Sequence, residues 1–259
     1  MSDGPLLELD RLTMRFGGVR ALNELSLSVP QGAIFAVIGP NGAGKTTVFN
    51  AITGVYRPAG GDIRLFGESL VGRKRNKVPA AGAARTFQNI RLFPDMTVTE
   101  NVLVGADARH RTGVLGAIVR GTRYRREEKE GLETAHELLE FMGIAHRADE
   151  EASSLSYGDQ RRVEIARAMA TGAQLLLLDE PAAGFNRSEK QDLAALIKRI
   201  REQLGRTVLL IEHDMELVLG ISDRVAVLNF GNKIAEGTPA EVQSSPAVID
   251  AYLGATDAA

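Results

Sequence analysis

The sequence predicts an α/β protein: a core built on a parallel sheet, an antiparallel β subdomain at the amino end and an inserted helical subdomain. Three observations carry this. In the second half of the chain short apolar runs alternate with helical periodicity, which implies strands joined by crossover helices and hence a parallel sheet. The opening residues alternate β-rich runs with turns alone. Between them, from Thr97 to about Ala170, apolar residues recur at helical spacing.

LLELDRLTMRF, ALNELSLSV and AIFAVIG are the first strands, separated by FGG and PQG and followed by PNGAG; GDIRLFG adds another. The basic cluster Arg73, Lys74, Arg75 and Lys77 reads as a solvated loop or helix start, with nucleic-acid contact as the alternative. TVTENVLVGADA opens with a capping box, Thr97 and Glu100, and LETAHELLEFMGI continues the helical pattern. LLLLDEP is a buried parallel-type strand, SEKQDLAALIKRIREQLG a helix and TVLLIEH a strand. DMELVLGIS is a short helix, and RVAVLNFGNKIAEG a hairpin turning at Gly231 and Asn232.

At 259 residues the chain can bury a sizeable core. With 31 Lys plus Arg against 33 Asp plus Glu, the total charge gives no reason to expect nucleic acid as a partner. Cysteine is absent, which excludes disulfides and thiolate metal sites and suits a reducing compartment. The opening MSDGPLLELD does not read as a secretory signal, and no apolar run approaches the roughly 18 residues of a membrane span. A cytoplasmic protein is expected, with any membrane role supplied by a partner.

GPNGAGKT, Gly39 to Thr46, matches the phosphate-loop pattern, with the strand AIFAVIG leading in and the helical run TTVFNAIT leading out. Glycines let backbone amides turn around a polyphosphate and the helix amino terminus adds its dipole. Lys45 is then placed to reach the β and γ phosphates and the Thr46 hydroxyl to ligate Mg²⁺. The fold class becomes that of a phosphate-loop NTPase. LLLLDEP supplies Asp179, placed to hold Mg²⁺, and Glu180, placed to accept a proton from water; a carboxylate following the metal aspartate favours ATP hydrolysis. His213, closing TVLLIEH, would emerge at the same sheet edge as Asp179 and contact the γ phosphate, or be structural. Gln88 in RTFQNIRLF caps a strand or joins the site, and Phe16 stacks on adenine or fills core.

In SSLSYGDQRR, Ser156 through Asp159 fit a capping box ahead of VEIARAMA. A cap does not account for Leu155, Gly158 or the arginine pair. The ordered set GPNGAGKTT, TFQ, LSYGDQRRVEIARAM, LLLLDEP and IEHD resembles the ATP-binding subunits of ABC transporters over essentially the whole chain. The resemblance implies a single ABC ATPase domain over 1–259: a β and phosphate-loop core in 1–96 and 172–238, a helical subdomain at about 97–171 and a helical tail in 239–259. It implies two subunits packed head to tail, the turn of one facing the ATP of the other. On that basis Gly39, Pro40, Asn41, Gly42, Ala43, Gly44, Lys45, Thr46 and Thr47 hold phosphate, and Thr46 and Asp179 serve Mg²⁺. Gln88 senses metal and attacking water, Ser156 and Gly158 reach across the dimer, Glu180 is the base, His213 holds the γ phosphate and Phe16 stacks on adenine.

The chain departs from the common LSGGQ at Tyr157 and Asp159, and Asn186 in AAGFN stands where an aspartate is usual; with Glu189 it also reads as a helix cap. These departures, HDMELVLGISDRVAVLNFGNKIAEGTP and the closing VIDAYLGA are similar to the branch that energises branched-chain amino-acid uptake. The stretch from about Ala106 to Glu140 suits the longer of that branch's two ATPases. The implied partners are a second ABC ATPase, identical or paralogous, two membrane permeases and, indirectly, a periplasmic or extracellular binding protein, with this chain peripheral on the inner face of the membrane. NIRLFPDMTVTENV is the expected docking segment, with Leu92, Phe93 and Met96 at a surface or packed in a loop core. The rival readings are a urea, amide or lipopolysaccharide system, a soluble non-transport ABC ATPase, and a phosphate-loop kinase.

Overall fold

The computed structural model describes residues 4–108 and 121–256, with side chains through Tyr252; part of the expected Ala106–Glu140 helical stretch therefore lies outside the described residues. In chain order the strands are β1 (Leu7–Phe16), β2 (Val19–Val29), β3 (Ile34–Ile38), β4 (Gly60–Leu65) and β5 (Glu68–Ser69), then β6 (Ala83–Arg85), β7 (Leu175–Asp179), β8 (Thr207–Ile211), β9 (Arg224–Asn229) and β10 (Asn232–Gly237). The helices are α1 (Lys45–Ile52), α2 (Val78–Ala81), α3 (Val98–Asp107), α4 (Thr122–Met142) and α5 (Tyr157–Ala170), then α6 (Arg187–Leu204), α7 (Met215–Ile221), α8 (Pro239–Gln243) and α9 (Pro246–Thr256). They form two compact units, residues 1–85 with 174–259, and residues 86–173.

The first unit holds every described strand. IFAVI, LLLLD and TVLLI are buried at every position, as parallel strands covered on both faces must be. They sit inside a six-stranded sheet of order β10-β9-β3-β8-β7-β6, parallel except for the β9–β10 hairpin. β1 alternates buried with half-buried positions and β2 buried with exposed ones over much of their length, and they join β4 and β5 in a four-stranded antiparallel sheet of order β2-β1-β4-β5. Leu7, Leu9, Leu22 and Leu27 from this sheet share a core with Phe35, Leu177 and Leu209 from the other and with Phe49 of α1.

The β9–β10 turn differs from expectation. Asn232 pairs with Asn229, so the turn is Phe230–Gly231 and Asn232 already belongs to β10. Both turn residues have positive φ, +44° and +77°, as the tight hairpin turn requires. The Gly231 amide donates to the Ala43 carbonyl at 3.0 Å and its own carbonyl accepts from the Asn23 amide at 2.9 Å, which fixes the register one residue earlier.

The second unit is helical. α3 begins with the expected capping box, Thr97 with Glu100. α5 keeps only half of its own: Ser156 Oγ accepts from the Asp159 amide, but the Asp159 carboxylate takes the Ser156 hydroxyl at 3.0 Å and faces Arg147 at 3.6 Å rather than closing the box. Val98, Val102, Ala106, Ala135, Leu139, Val163 and Ala166 form the buried faces of α3, α4 and α5. α3 and α5 touch backbone to backbone at Gly105, where an added Cβ would lie 2.0 Å from the Arg167 carbonyl oxygen. Gly105→Ala should therefore cost about 1–3 kcal/mol by overpacking, read as a lower urea midpoint, although alanine is the better helix former; an unchanged or raised midpoint would show that α3 can move away.

Candidate functional site

After β3 the backbone must wrap tightly, and it does so through Gly39, Gly42 and Gly44 at φ +147°, +78° and +103°. Two are also places of close approach: a Cβ on Gly39 would meet the Leu228 carbonyl oxygen of β9 at 2.1 Å, and one on Gly44 the Ala21 carbonyl oxygen of β2 at 2.7 Å. α1 starts at once. Its first backbone bond runs from the Val48 amide to the Gly44 carbonyl at 3.1 Å, so the amides of Lys45, Thr46 and Thr47 precede the helical ladder, at the positive end of the helix dipole. Lys45 is buried and donates to the carbonyls of Gly39 at 2.6 Å and Pro40 at 3.0 Å. Burial pulls its ammonium below the usual lysine range, and the charges of Glu180 and Asp179 oppose that pull. Pro40 is half-buried, while Asn41 and Thr46 face solvent.

The carboxyl ends of β7 and β8 lie side by side, Asp179 in register with Ile211. Asp179 is buried and accepts from Arg85 at 2.6 Å, while Arg85 also donates to Asn50 of α1 at 2.7 Å and stacks over Phe49 with 5.4 Å to the ring centroid. Asp179 is thus tied to the helix that follows the phosphate loop. The ladder runs one residue further, the Glu180 amide donating to the Ile211 carbonyl at 2.9 Å, and there the backbone turns left-handed with φ +46°. A residue with a side chain reaches that region at a cost of roughly 1–2 kcal/mol. His213 Nδ1 stands 3.8 Å from the Glu180 carboxylate.

Glu212 organises this edge from below. It is fully buried and accepts from the amides of Ala182 at 2.8 Å, His213 at 3.1 Å and Asp214 at 3.4 Å, so one carboxylate holds the turn after Glu180 and the turn that carries His213. Burial pushes its carboxyl up, against the pull of those amides. Phe16, at the end of β1, does not fill core: it is 42% exposed and meets Tyr56 edge-on with 4.9 Å between centroids.

Arg85, Glu212 and Tyr56 were absent from the sequence reading. A charged residue closing the apolar run AGAAR was the available signal for Arg85, and an acid ahead of the histidine in IEHD that for Glu212. Gln88 does not end a strand as read: β6 stops at Arg85, and beyond it α5 side chains, not a neighbouring strand, bond the Phe87 amide and the Phe87 and Gln88 carbonyls. In the helical unit Gln88 and Ser156 are exposed, and Gly158 lies in the first turn of α5, where an added Cβ would meet nothing within 4 Å. Among the described residues no three His, Cys, Asp or Glu side chains cluster as a metal cage. Magnesium bound beside phosphates needs only one or two protein oxygens, and Thr46 with Asp179 matches that hard donor set.

Two outcomes follow from these contacts. Arg85→Met strands a buried carboxylate and should cost about 3–5 kcal/mol in urea denaturation, most of it recovered by adding Asp179→Asn; additive losses would show that the pair is not coupled. Asp214 caps α7 and is held below the usual carboxylate range, first by the Lys190 hydrogen bond. A depressed folded value contributes stability above the unfolded pKa and loses it as pH falls through the folded one. Melting of the wild type should therefore drop more steeply than that of Asp214→Asn, which keeps the cap, below about pH 4; parallel curves would exclude the pair.

A family model described as "ABC transporter" matches residues 22–183, and one described as "Branched-chain amino acid ATP-binding cassette transporter" matches residues 232–258. The chain is 49% identical over 250 residues to the high-affinity branched-chain amino acid transport ATP-binding protein BraF of Pseudomonas aeruginosa, covering 96% of this chain and 98% of that one. To the corresponding LivG protein of Escherichia coli it is 48% identical over the same shares. Its fold superposes with a TM-score of 0.84 and 32% identity on the crystal structure of an ATP-binding cassette of an ABC transporter in its ADP conformation, covering 96% of this chain and 98% of the other. With a glycine-bound phosphate loop and an Asp179–Glu180 pair at one sheet edge, the chain belongs to the ABC transporter family as an ATP-binding subunit.

Proposed function

We propose that this chain binds and hydrolyses ATP to drive import of branched-chain amino acids through two membrane permeases. The observation that carries hydrolysis is the edge formed by Asp179, Glu180 and His213 in the same unit as the phosphate loop. Lys45 would exchange its carbonyl partners for the β and γ phosphates, and the amides at the start of α1 would take the remaining oxygens. Mg²⁺ on Thr46 and Asp179, when bound, would screen the phosphate charge. Glu180 would take a proton from the attacking water and His213 hold the γ phosphate, while Phe16, beside Tyr56, would stack on adenine. Gln88 would sense water and metal. Ser156 and Gly158 would complete the site of a second ABC ATPase, identical or paralogous, so that two ATP molecules hold two subunits together until hydrolysis parts them.

The permeases would receive that motion at Leu92, Phe93 and Met96, of which Phe93 and Met96 are exposed and Leu92 half-buried. Among the described residues no helix is long and apolar enough to cross a membrane; a peripheral place on its inner face would come from docking on the permeases. A substrate-binding protein outside would feed the permeases. The substrate class is supported by the relatives' assignment and by the match of the tail, residues 232–258.

Gly158 offers the sharpest test. The fold leaves room for a methyl group there and the position is helical, so Gly158→Ala should keep or raise stability by roughly 0.5–1 kcal/mol. ATP-driven dimerisation of a Glu180→Gln background, measured by light scattering, should nevertheless be lost, while nucleotide binding to the monomer persists. Dimerisation surviving both Gly158→Ala and Ser156→Arg would refute the composite site. Glu180→Gln itself should lower turnover by about 10²-fold or more. Labelled leucine uptake should fail in a strain lacking this chain and return with the wild-type gene only; urea uptake failing in its place would move the substrate assignment.

A further inference from the structure

The segment from Phe87 to Thr97 contains no helix and only a single bridge, yet it is not loose. Its backbone groups are taken one after another by side chains of the helical unit. Arg161 donates to the carbonyls of Phe87 at 2.6 Å and Gln88 at 2.8 Å. Glu164, one turn on, accepts from the amides of Phe87 and Arg91, both at 3.3 Å. Arg167, the next turn, donates to the Arg91 carbonyl and lies 5.8 Å over the Phe93 ring. Asn101 of α3 closes the far end, accepting from the Phe93 amide at 2.9 Å and donating to the carbonyls of Phe93 and Thr97 at 3.0 Å.

Arg161, Glu164 and Arg167 are three residues apart on one face of α5, the helix whose first turn is Ser156–Gly158. Arg161 and Glu164 are paired at 2.7 Å and almost wholly inaccessible, at 0% and 1% exposure, so breaking either bond leaves a buried charge. Arg161 also donates to the Tyr157 hydroxyl at 3.1 Å, which carries the ladder back to the turn itself and gives the unusual tyrosine a physical task. The two terminal nitrogens of Arg161 serve four partners, the Phe87 and Gln88 carbonyls, Glu164 and the Tyr157 hydroxyl, more than the three donors of a lysine ammonium could.

We infer that Arg161, Glu164 and Arg167 are positioning residues that make the Gln88–Phe93 segment and the Ser156–Gly158 turn one mechanical piece. The inference rests on the composite-site reading above: displacement applied at Phe93 reaches the turn that faces the second subunit's nucleotide without a flexible joint between them. A segment held only by its own ends would lose most of such a displacement before it reached α5.

Hydrogen exchange of the full chain tests the ladder directly, and dimerisation tests its use. Glu164→Gln should speed exchange of the Phe87 and Arg91 amides by about tenfold or more, since one acceptor oxygen replaces two and either the amides or Arg161 then faces an NH2 donor, while exchange in α3 is unchanged. In the Glu180→Gln background the same substitution should raise the ATP concentration needed for dimerisation about tenfold with monomer nucleotide affinity unaltered. Should Glu164→Gln fail to fold, Arg167→Lys, which keeps the charge but not the stack on Phe93, should show the same pattern more weakly, and Arg167→Met more strongly. Unchanged exchange at residues 87–91, or faster exchange with dimerisation intact, overturns the proposal. Failure of the composite-site reading looks different: Ser156→Arg would dimerise normally while the exchange effects of Glu164→Gln remained.

Discussion

The phosphate loop can exist only where two sheets let a bare backbone pass between them. Gly39 has its Cβ position filled by the Leu228 carbonyl of the six-stranded sheet, and Gly44 by the Ala21 carbonyl of the four-stranded one. Gly231 repeats the constraint from the β9–β10 turn, against Ala21 and bonded to Ala43. Each sheet therefore buttresses the loop from its own side, and neither can shift without forcing the loop open. The antiparallel sheet thereby has a task at the loop: its second strand closes it on one side.

Buried charge follows from the same need for rigidity. Irregular backbone at a site leaves amides and carbonyls with no ladder to join, and burying them unpaired costs about 1–3 kcal/mol each. Glu212 answers this for the turns around Glu180 and His213, and Arg161 with Glu164 answers it for the segment around Gln88. Ionised side chains are poor sources of net stability once desolvated. Their value is directional: a carboxylate with two fixed oxygens, or a guanidinium with a planar fork, admits one arrangement of the loop where an apolar contact would tolerate several.

Most of the fold was legible because its elements carry strong local signals. LLLLD and TVLLI are short apolar runs bounded by turn signals, which suits strands of a covered sheet, and Thr97 with Glu100 announces the helix start found in the structure. The phosphate loop was legible because its glycines are demanded by sterics that act within a few residues. What stayed hidden depends on long sequence separation. Arg85 meets Asp179 across 94 positions and Arg161 meets Phe87 across 74, and no periodicity encodes such a pair. The hairpin was misplaced by one residue for a related reason: glycine next to asparagine is the stronger local signal, but a bond from Gly231 to the distant Ala43 sets the register and pushes Phe230 into positive φ.

Gly158 separates what the fold requires from what it does not. Gly39, Gly44 and Gly105 are each forced by a neighbouring carbonyl within the chain. Gly158 has no such neighbour and lies in the first turn of a helix, where alanine would be favoured by roughly 1 kcal/mol. Beside it Ser156 already has its hydroxyl committed to Asp159 as acceptor and donor, so capping explains the serine and leaves the glycine unexplained. A residue that costs stability and fills no internal need is best understood through what must approach from outside, and a bare backbone at position 158 suits the γ phosphate that the proposed composite site would bring there. The same helix then has two faces with different duties. Its first turn carries the glycine that the proposed composite site would use, and the face from Arg161 to Arg167 grips the segment that carries Gln88. A single rigid helix can serve both only if the grip does not depend on the ligand, and the nearly complete burial of Arg161 and Glu164 secures that independence.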